Sequence, residues 1–465
     1  MSTTPAAPHG RTATMRTLVV PVYAPAVVFG IGQGAALPVV ALAATELGAS
    51  TTVAALVAAS TGAGLLVGDL PAGRIVSRFG ERRAILGGSL AGALGVLLAL
   101  LAWDVWSLAL GVLVSGCAMS VWTLARQRYL AEAVPAVIRA RAMSLFATMW
   151  RTGALAGPFV GAAVISHTGT RGAFAVQLVA VVVSGWLMSR LPDDGTRRER
   201  GAPPQALPGG RRATLVGVAL THRRLFLTLG VGTLLLGAAR TSRDVVVPLW
   251  GHHIGLDAAE ISLVLGCAGV LEVLVSVPAG HLMDRFGRSV IAVPSLALLA
   301  TAYVTLPLST TALGLWVVVA VLGLGNGLSN GLLMTIGADV APAAYRTEFL
   351  ASWRLMHDSG MFSGPLVVSV VSAASLAAAS LTVGALAGAG ALVMWRAIPR
   401  YVPHPRTDDC PGGRPDARPD GRPDGVEQAA ARTAAPAPAP HPPRSGAPVH
   451  AQLLPPDQNL QEVRR

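Results

Sequence analysis

A 465-residue chain that is 52% hydrophobic and only 13% charged departs from soluble domains, whose charged share is roughly 25%. Its formal charge of +12 comes from arginine alone, because the 36 basic residues include no lysine. Their clustering in alternate loops excludes a nucleic-acid-binding surface, and three cysteines, Cys117, Cys267 and Cys410, make no disulfide framework.

A spanning helix needs about 20 mostly apolar residues. Twelve such spans are read in chain order: 17–42, 52–77, 83–102, 106–129, 141–166, 172–190, 224–250, 258–282, 289–308, 312–336, 347–372 and 376–396. Arg11 and Arg16 precede the first, which reads as an uncleaved helix rather than a removed signal. Arg74, Arg78, Arg82 and Arg83 follow the second span, Arg126, Arg128, Arg139 and Arg141 surround the loop after the fourth, and eight more arginines lie around 190–224. The opposite loops carry Glu46, Asp104, His167, His252, His253, Asp257 and a single arginine, Arg171. This asymmetry predicts a multi-pass protein of a plasma (inner) membrane with both termini and the central linker in the cytoplasm. The expected layout is a cytoplasmic N-terminus (1–16), a first half (17–190), an Arg-, Gly- and Pro-rich linker (191–223), a second half (224–397) and a tail (398–465). The tail repeats Arg-Pro-Asp from 414, 418 and 422 and is too poor in apolar residues to fold.

One pattern occurs twice at an offset of 207 residues: Pro71-Ala72-Gly73-Arg74 through Arg78-Phe79-Gly80, and Pro278-Ala279-Gly280-His281 through Arg285-Phe286-Gly287. Gly153-x-x-x-Gly157-Pro158 and Gly360-x-x-x-Gly364-Pro365 share the offset, as do Glu132 with Asp339, Pro135 with Pro342, and Arg139 with Arg346. The chain is therefore read as two copies of one membrane unit. Gly73 and Gly280 are expected to allow close helix approach, and Gly80 and Gly287 to permit the turn that follows. In the fifth span Gly153, Gly157 and Gly161 lie along one helical face, and Pro158 favours a bend.

The doubled loop resembles the hallmark of the major facilitator superfamily, and the resemblance covers about 17–397. It implies an all-α membrane protein of twelve transmembrane helices in two pseudo-symmetric six-helix halves. It also implies that Gly73, Arg78, Gly80, Arg82 and Glu132, with Gly280, Asp284, Arg285, Gly287, Arg288 and Asp339, form a cytoplasmic latch of the outward-facing state. Glu132 is expected to pair with the Arg78 and Arg82 group, and Asp339 with Arg285 or Arg288. The first copy departs from the family, with Ser77 where Asp is usual and Glu81 where Arg is usual. The span-five motif is similar to that of drug:proton antiporters, which implies export, although its partial copy at Gly360, Gly364 and Pro365 also fits plain helix packing. The Arg that such antiporters often carry in mid span four is missing, since Gly111 to Gly116 contain none. Arg126 and Arg128 lie too near the cytoplasm to replace it.

Charges inside spans are costly unless paired or wetted, so they mark candidate sites. Arg240 and Asp244 are four residues apart and expected to pair. Glu272 stands alone in the middle of span eight; such a carboxyl favours its neutral form, which suits proton loading. Glu272, Asp358 and Asp69 are thus the proton-coupling candidates. Gln33, Trp122, Arg151, Arg240, Arg243, Asp244, Arg354 and His357 are the substrate-cavity candidates, because the resemblance places their helices along or beside the cavity. The histidine pair 252–253 reads as loop, no metal or other cofactor is expected, and no enzyme motif stands out. The expected activity is proton-driven efflux of a drug-like or secondary-metabolite molecule by a monomer in the lipid bilayer. Uptake of a small metabolite, or a non-transporting sensor or scaffold, are the alternatives.

Overall fold

The computed structural model describes residues 22–134, 136–190, 215–342 and 345–402. The expected N-terminal segment, most of the linker and nearly all of the tail lie outside the described residues. Ten described helical segments are long and apolar enough to cross a membrane. We label them with two further long helices in chain order: α1 (Ala24–Glu46), α2 (Thr51–Phe79), α3 (Glu81–Leu100), α4 (Val105–Ala133), α5 (Ala136–Thr168), α6 (Arg171–Ser189), α7 (Arg223–His253), α8 (Ala258–Phe286), α9 (Ser289–Leu308), α10 (Ala312–Val340), α11 (Arg346–Ser372) and α12 (Leu376–Tyr401). The two that fail on composition are α5 and α11, which carry Arg139, Arg141 and Arg151, and Arg346, Arg354 and Asp358. No strand occurs among the described residues.

Several boundaries differ from the sequence reading. Helix α5 starts at 136 rather than 141, and α12 runs to Tyr401, past the expected end of its half. Leu215–Thr221, assigned to the linker, is helical, as its apolar Leu-Val-Gly-Val-Ala-Leu run permits.

Helix ends sort by chemistry onto two sides. On one side, side-chain oxygens cap helix N-termini: Ser50 accepts from Val53 N–H, Asp104 from Ser107, Asp257 from Glu260, Thr311 from Gly314 and Ser375 from Ala378. Each cap satisfies an orphan donor and complements the helix dipole. The Ser107 hydroxyl and then its backbone N–H also hold the Asp104 carboxyl below its ordinary range. On the other side, α2 and α8 end at Gly80 and Gly287, with φ of 81° and 92°. A side chain is strained there, so glycine is required for the turn into α3 and α9. We call these the capped side and the glycine-turn side.

The first six helices and the last six pack alike. α1 packs on α5 and α6, α2 on α4, and α3 on α4 and α6; correspondingly, α7 packs on α11 and α12, α8 on α10, and α9 on α10 and α12. Small residues set the closest approaches. A Cβ on Gly157 would lie 2.6 Å from Gly34 Cα, one on Gly161 3.1 Å from Ala35 Cα, and one on Gly153 would collide with Val27 O. In the second half, Gly360 meets Leu234 O and Gly364 meets Ala238 O on α7.

The halves meet through α2 with α11 and α5 with α8. Their close contacts lie toward the capped side. Ser369 donates to Thr52 O at 2.8 Å. A Cβ on Gly62 would lie 3.2 Å from Phe362 Cα, and one on Gly266 3.0 Å from the Phe159 ring. Val40, Leu42 and Val57 share one buried core with Val245, Leu249, Ile261 and Leu265. Toward the glycine-turn side, a Cβ on Gly73 or Gly280 would meet nothing within 4 Å. The expectation that these two glycines receive a packed helix is therefore corrected for this conformation: the halves close on the capped side, and among the described residues no neighbour comes within 4 Å of a Cβ at either glycine.

Candidate functional site

Helix α7 supplies Arg240, Arg243 and Asp244, α8 supplies Glu272, and a break in α10 supplies Ser329 and Asn330. The break has a local cause: α10 runs helical to Leu328, and Gly331 at φ 83° redirects the chain before Leu332 resumes it. Arg240 Nη2 lies 3.2 Å from Glu272 Oε1, and Arg243 Nη1 3.1 Å from Glu272 Oε2. Arg240 also donates to Ser329 Oγ at 2.8 Å and to Asn330 Oδ1 at 2.9 Å. Asn330 Nδ2 donates to Glu272 Oε1 at 3.3 Å, and Arg243 Nε bonds Asp244 Oδ1 at 3.3 Å.

Two expectations are overturned here. Glu272 is not a lone carboxyl, because helix packing brings two guanidinium groups from α7 onto its two oxygens. Asp244 takes Arg243 as its ion-pair partner, and Arg240 turns toward Glu272 and the α10 break. The cluster holds two cations and two anions in balance. It is held within the membrane by two helices and one span break, with the charged side chains 17–24% exposed.

The other candidates fall into two groups. On α11, Arg354 Nε bonds Asp358 Oδ2 at 3.3 Å. Across from it on α2, Asp69 accepts from Ser120 of α4 and lies near enough for its charge to act on Asp358. Asp69 has no ion-pair partner among the described residues, so it, rather than Glu272, is the carboxyl without a cation. Arg151 is exposed, and its charge reaches Arg240. His357 packs on Gly237, and its buried Nδ1 has no hydrogen-bond partner. In the first half, Gln33 accepts from Gln177 at 3.1 Å and points its Nε2 at Met119 sulfur, 2.6 Å away. A cavity of about 20 Å³, lined by these residues with Ser115 and Gly116, adjoins them. It has room for about one water. Trp122 is fully buried, stacked on Phe29 at 4.0 Å. In this conformation it packs against that ring and is not among the residues lining the cavity at Gln33, because the apolar face of α4 turns it inward.

At the glycine turns, Arg288 donates to Asp339 at 2.9 Å and lies 3.5 Å from Asp284. The first half reverses the polarity: Glu81, at the position matching Arg288, pairs with Arg128 of α4 at 3.0 Å. The unusual Glu81 thus keeps an ion pair between loop and fourth helix. Arg82 donates to Ser189 O at 2.8 Å, while Arg78 and Arg285 lie over Phe79 and Phe286, at 5.7 and 5.3 Å. The side chain of Glu132 lies outside the described residues. No group of metal-ligating side chains occurs among the described residues.

Residues 25–239 and 229–432 match the family model of the Major Facilitator Superfamily, one match to each half. The chain belongs to this superfamily. It is a multi-pass membrane transporter, built of twelve spans in two halves. Among curated relatives it is 23% identical to the multidrug resistance protein MdtG of Citrobacter koseri over 305 residues, 65% of this chain and 73% of that one. It is 26% identical to the uncharacterized transporter YdeG of Bacillus subtilis over 371 residues, 77% and 86% of the two chains. Similar solved folds include a POT family transporter in complex with 5-aminolevulinic acid (TM-score 0.68, 12% identity, 84% and 98% covered). A D-xylose–proton symporter also matches (TM-score 0.58, 17% identity, 82% and 97% covered). At these identities the structural likeness establishes the fold alone.

Sequence reasoning missed Ser329, Asn330 and Ser120 as partners of the charges. The signal for the first two was the Gly-Leu-Ser-Asn-Gly run from 327 to 331 inside an apolar span. Ser120 carried no comparable signal.

Proposed function

We propose that this transporter exports an amphipathic drug-like or secondary-metabolite molecule across a plasma membrane by proton-driven alternating access. Both termini would be cytoplasmic, so the capped side would face outward. The observation that carries the reading is the charge arrangement between the halves. A neutral Arg240–Glu272–Arg243–Asp244 cluster sits on one helix set, and Asp69 of α2, with no ion-pair partner among the described residues, lies within reach of the charge of Asp358 on α11. Polar groups held that deep in a membrane are costly, and pathways for substrates and protons are where they are retained. The cluster offers substrate contacts from Arg240, Arg243, Asp244, Arg354 and His357. Asp69 and Asp358 offer protonation, on helices that must separate when the seal opens. The resemblance to multidrug resistance proteins supports export.

The latch reading rests on the same seal. With the capped side closed, Gly73 and Gly280 are free of neighbours, and they would receive packed helices when the glycine-turn side closes. The Arg288–Asp339 and Glu81–Arg128 pairs would then brace the loops for that contact.

The missing arginine in span four favours one rival, an uptake symporter. Reconstituted vesicles with an imposed pH gradient separate the two. Export predicts substrate moving against the proton flow, and substrate entering with protons refutes it. Asp69→Asn should remove the proton-driven component while substrate exchange persists. If driven transport by that variant equals the parent, Asp69 is not the coupling group.

A further inference from the structure

Arg126 is the charged side chain that the reading above leaves unused. It lies on α4 and is 3% exposed. Its guanidinium carbon sits 3.9 Å from the Trp122 ring centre and 3.7 Å from that of Phe146 on α5. Phe29 of α1 backs Trp122. Nε and Nη1 are buried and have no hydrogen-bond partner, and no carboxylate among the described residues pairs with Arg126. Cation–π contact with two rings offsets part of the desolvation cost. It does not supply acceptors for the N–H groups, and an uncompensated buried charge is strongly unfavourable.

The repeat provides an internal control. The position 207 residues on from Arg126 is Leu333, and that matching Phe146 is Trp353. There the site is apolar and satisfied: Leu333 and Trp353 pack together, and Trp353 Nε1 donates to Leu333 O at 2.9 Å. Packing at this point of the fold therefore needs no cation. The first half keeps one at a cost, with its Nε and Nη1 donors unpartnered among the described residues. Bidentate recognition of an oxyanion is what such a fork is suited to.

We propose that Arg126 is an oxyanion site. Its ligand is the carboxylate, sulfonate or phosphate of an amphipathic molecule whose apolar part lies against Trp122 and Phe146. Phe146 is the cover, since its 8%-exposed ring lies over the guanidinium at 3.7 Å and comes from another helix, α5. Rotation of that ring admits the anion. The inference rests on the transport reading and deepens it, by making acids a preferred class of transported molecule. An anionic lipid headgroup offers the same chemistry from a second source.

The test uses the full-length protein in nanodiscs of zwitterionic lipid, with pyrenebutyrate and its neutral primary amide as probes. The parent should bind the acid roughly tenfold more tightly than the amide, as a charge-assisted hydrogen bond gives. Arg126→Leu, which installs the residue of the matching position, should bind both alike. If that variant fails to accumulate, Arg126→Gln replaces it. In a second arm, phosphatidylglycerol is added. Thermal stabilisation of the parent but not of the variant, without discrimination between the probes, assigns the oxyanion to lipid and upholds the site. Discrimination or lipid stabilisation that survives loss of Arg126 overturns the proposal while leaving transport untouched. So does a parent showing neither effect. A parent that binds neither probe and gains no stability from the lipid counts against the site and against amphipathic transport together.

Discussion

Glu272→Gln is the most informative single change. It keeps the side-chain shape and removes one negative charge from a cluster in which two arginines lie 3.1 and 3.2 Å from the two carboxylate oxygens. Breaking a buried ion pair costs about 3–5 kcal/mol, because the partner charge is stranded. Here the exposure of 17–24%, the remaining Arg243–Asp244 pair and the neutral acceptors Ser329 and Asn330 lower the cost. We expect about 3 kcal/mol, near the bottom of that range. At roughly 2 °C per kcal/mol for a large domain, the apparent melting midpoint in detergent should fall by about 6 °C. The cycle with Arg240→Gln tests the assignment. That change installs the residue of the matching position, Gln33, and the double variant again balances Arg243 against Asp244. Coupling of about 1 kcal/mol or more is expected, since the two groups touch. Additive losses, or a single variant that melts with the parent, would show that Glu272 is not held by these arginines.

Gly157→Leu should separate α1 from α5, since even a Cβ there would lie 2.6 Å from Gly34 Cα; overpacking costs about 1–3 kcal/mol. Cells should then accumulate an exported dye as non-expressing cells do, and a variant that reaches the membrane with full efflux refutes the close-packing account. Breaking the Arg288 pairs with Asp284→Asn and Asp339→Asn should raise thiol labelling at Leu70→Cys, a position 81% exposed in this conformation. The effect will be small, because such pairs contribute about 0.2–1 kcal/mol each, and unchanged labelling removes the latch from the account. Reporter fusions after residues 200 and 400 should read cytoplasm and one at 253 the outside; an outside reading at 200 or 400 sinks the topology.

The helices and their doubling were legible because they depend on local, one-dimensional signals. Apolar length marks a span, and a repeated Gly-x-x-x-Gly-Pro marks a repeated contact. The glycine turns at 80 and 287 were readable for the same reason, since a positive φ selects the residue directly. Pairings were less legible. Arg240 and Asp244 are neighbours along a helix, and sequence spacing suggested a bond. The fold gives each a different ion-pair partner, from α8 for Arg240 and the adjacent Arg243 for Asp244. Glu272 looked isolated for the converse reason: its partners lie 29 and 32 residues away on another span. Trp122 was ambiguous because an aromatic in a span reads alike whether it faces a cavity or a neighbouring ring.

The repeat also shows where the two halves stopped being equivalent. At the positions matching Arg240, Arg243, Asp244 and Glu272, the first half has Gln33, Ala36, Leu37 and Leu65. The matching backbone positions pack in both halves, yet only the second pays for four charges. Conversely, Arg126 stands where the second half has Leu333. A fold that accepts either chemistry at each place does not require the charges for packing, which makes them candidates for work done at those points. The distribution assigns that work unequally. The second half carries a self-neutral network of four charges, and the first carries a cation, Arg126, set against two aromatic rings with no carboxylate partner among the described residues. Between them, Asp69 of the first half acts on Asp358 of the second. Under the proposed alternation, closing the glycine-turn side would change the spacing of that pair, which is the physical requirement for protonation on one element to bias the position of the other.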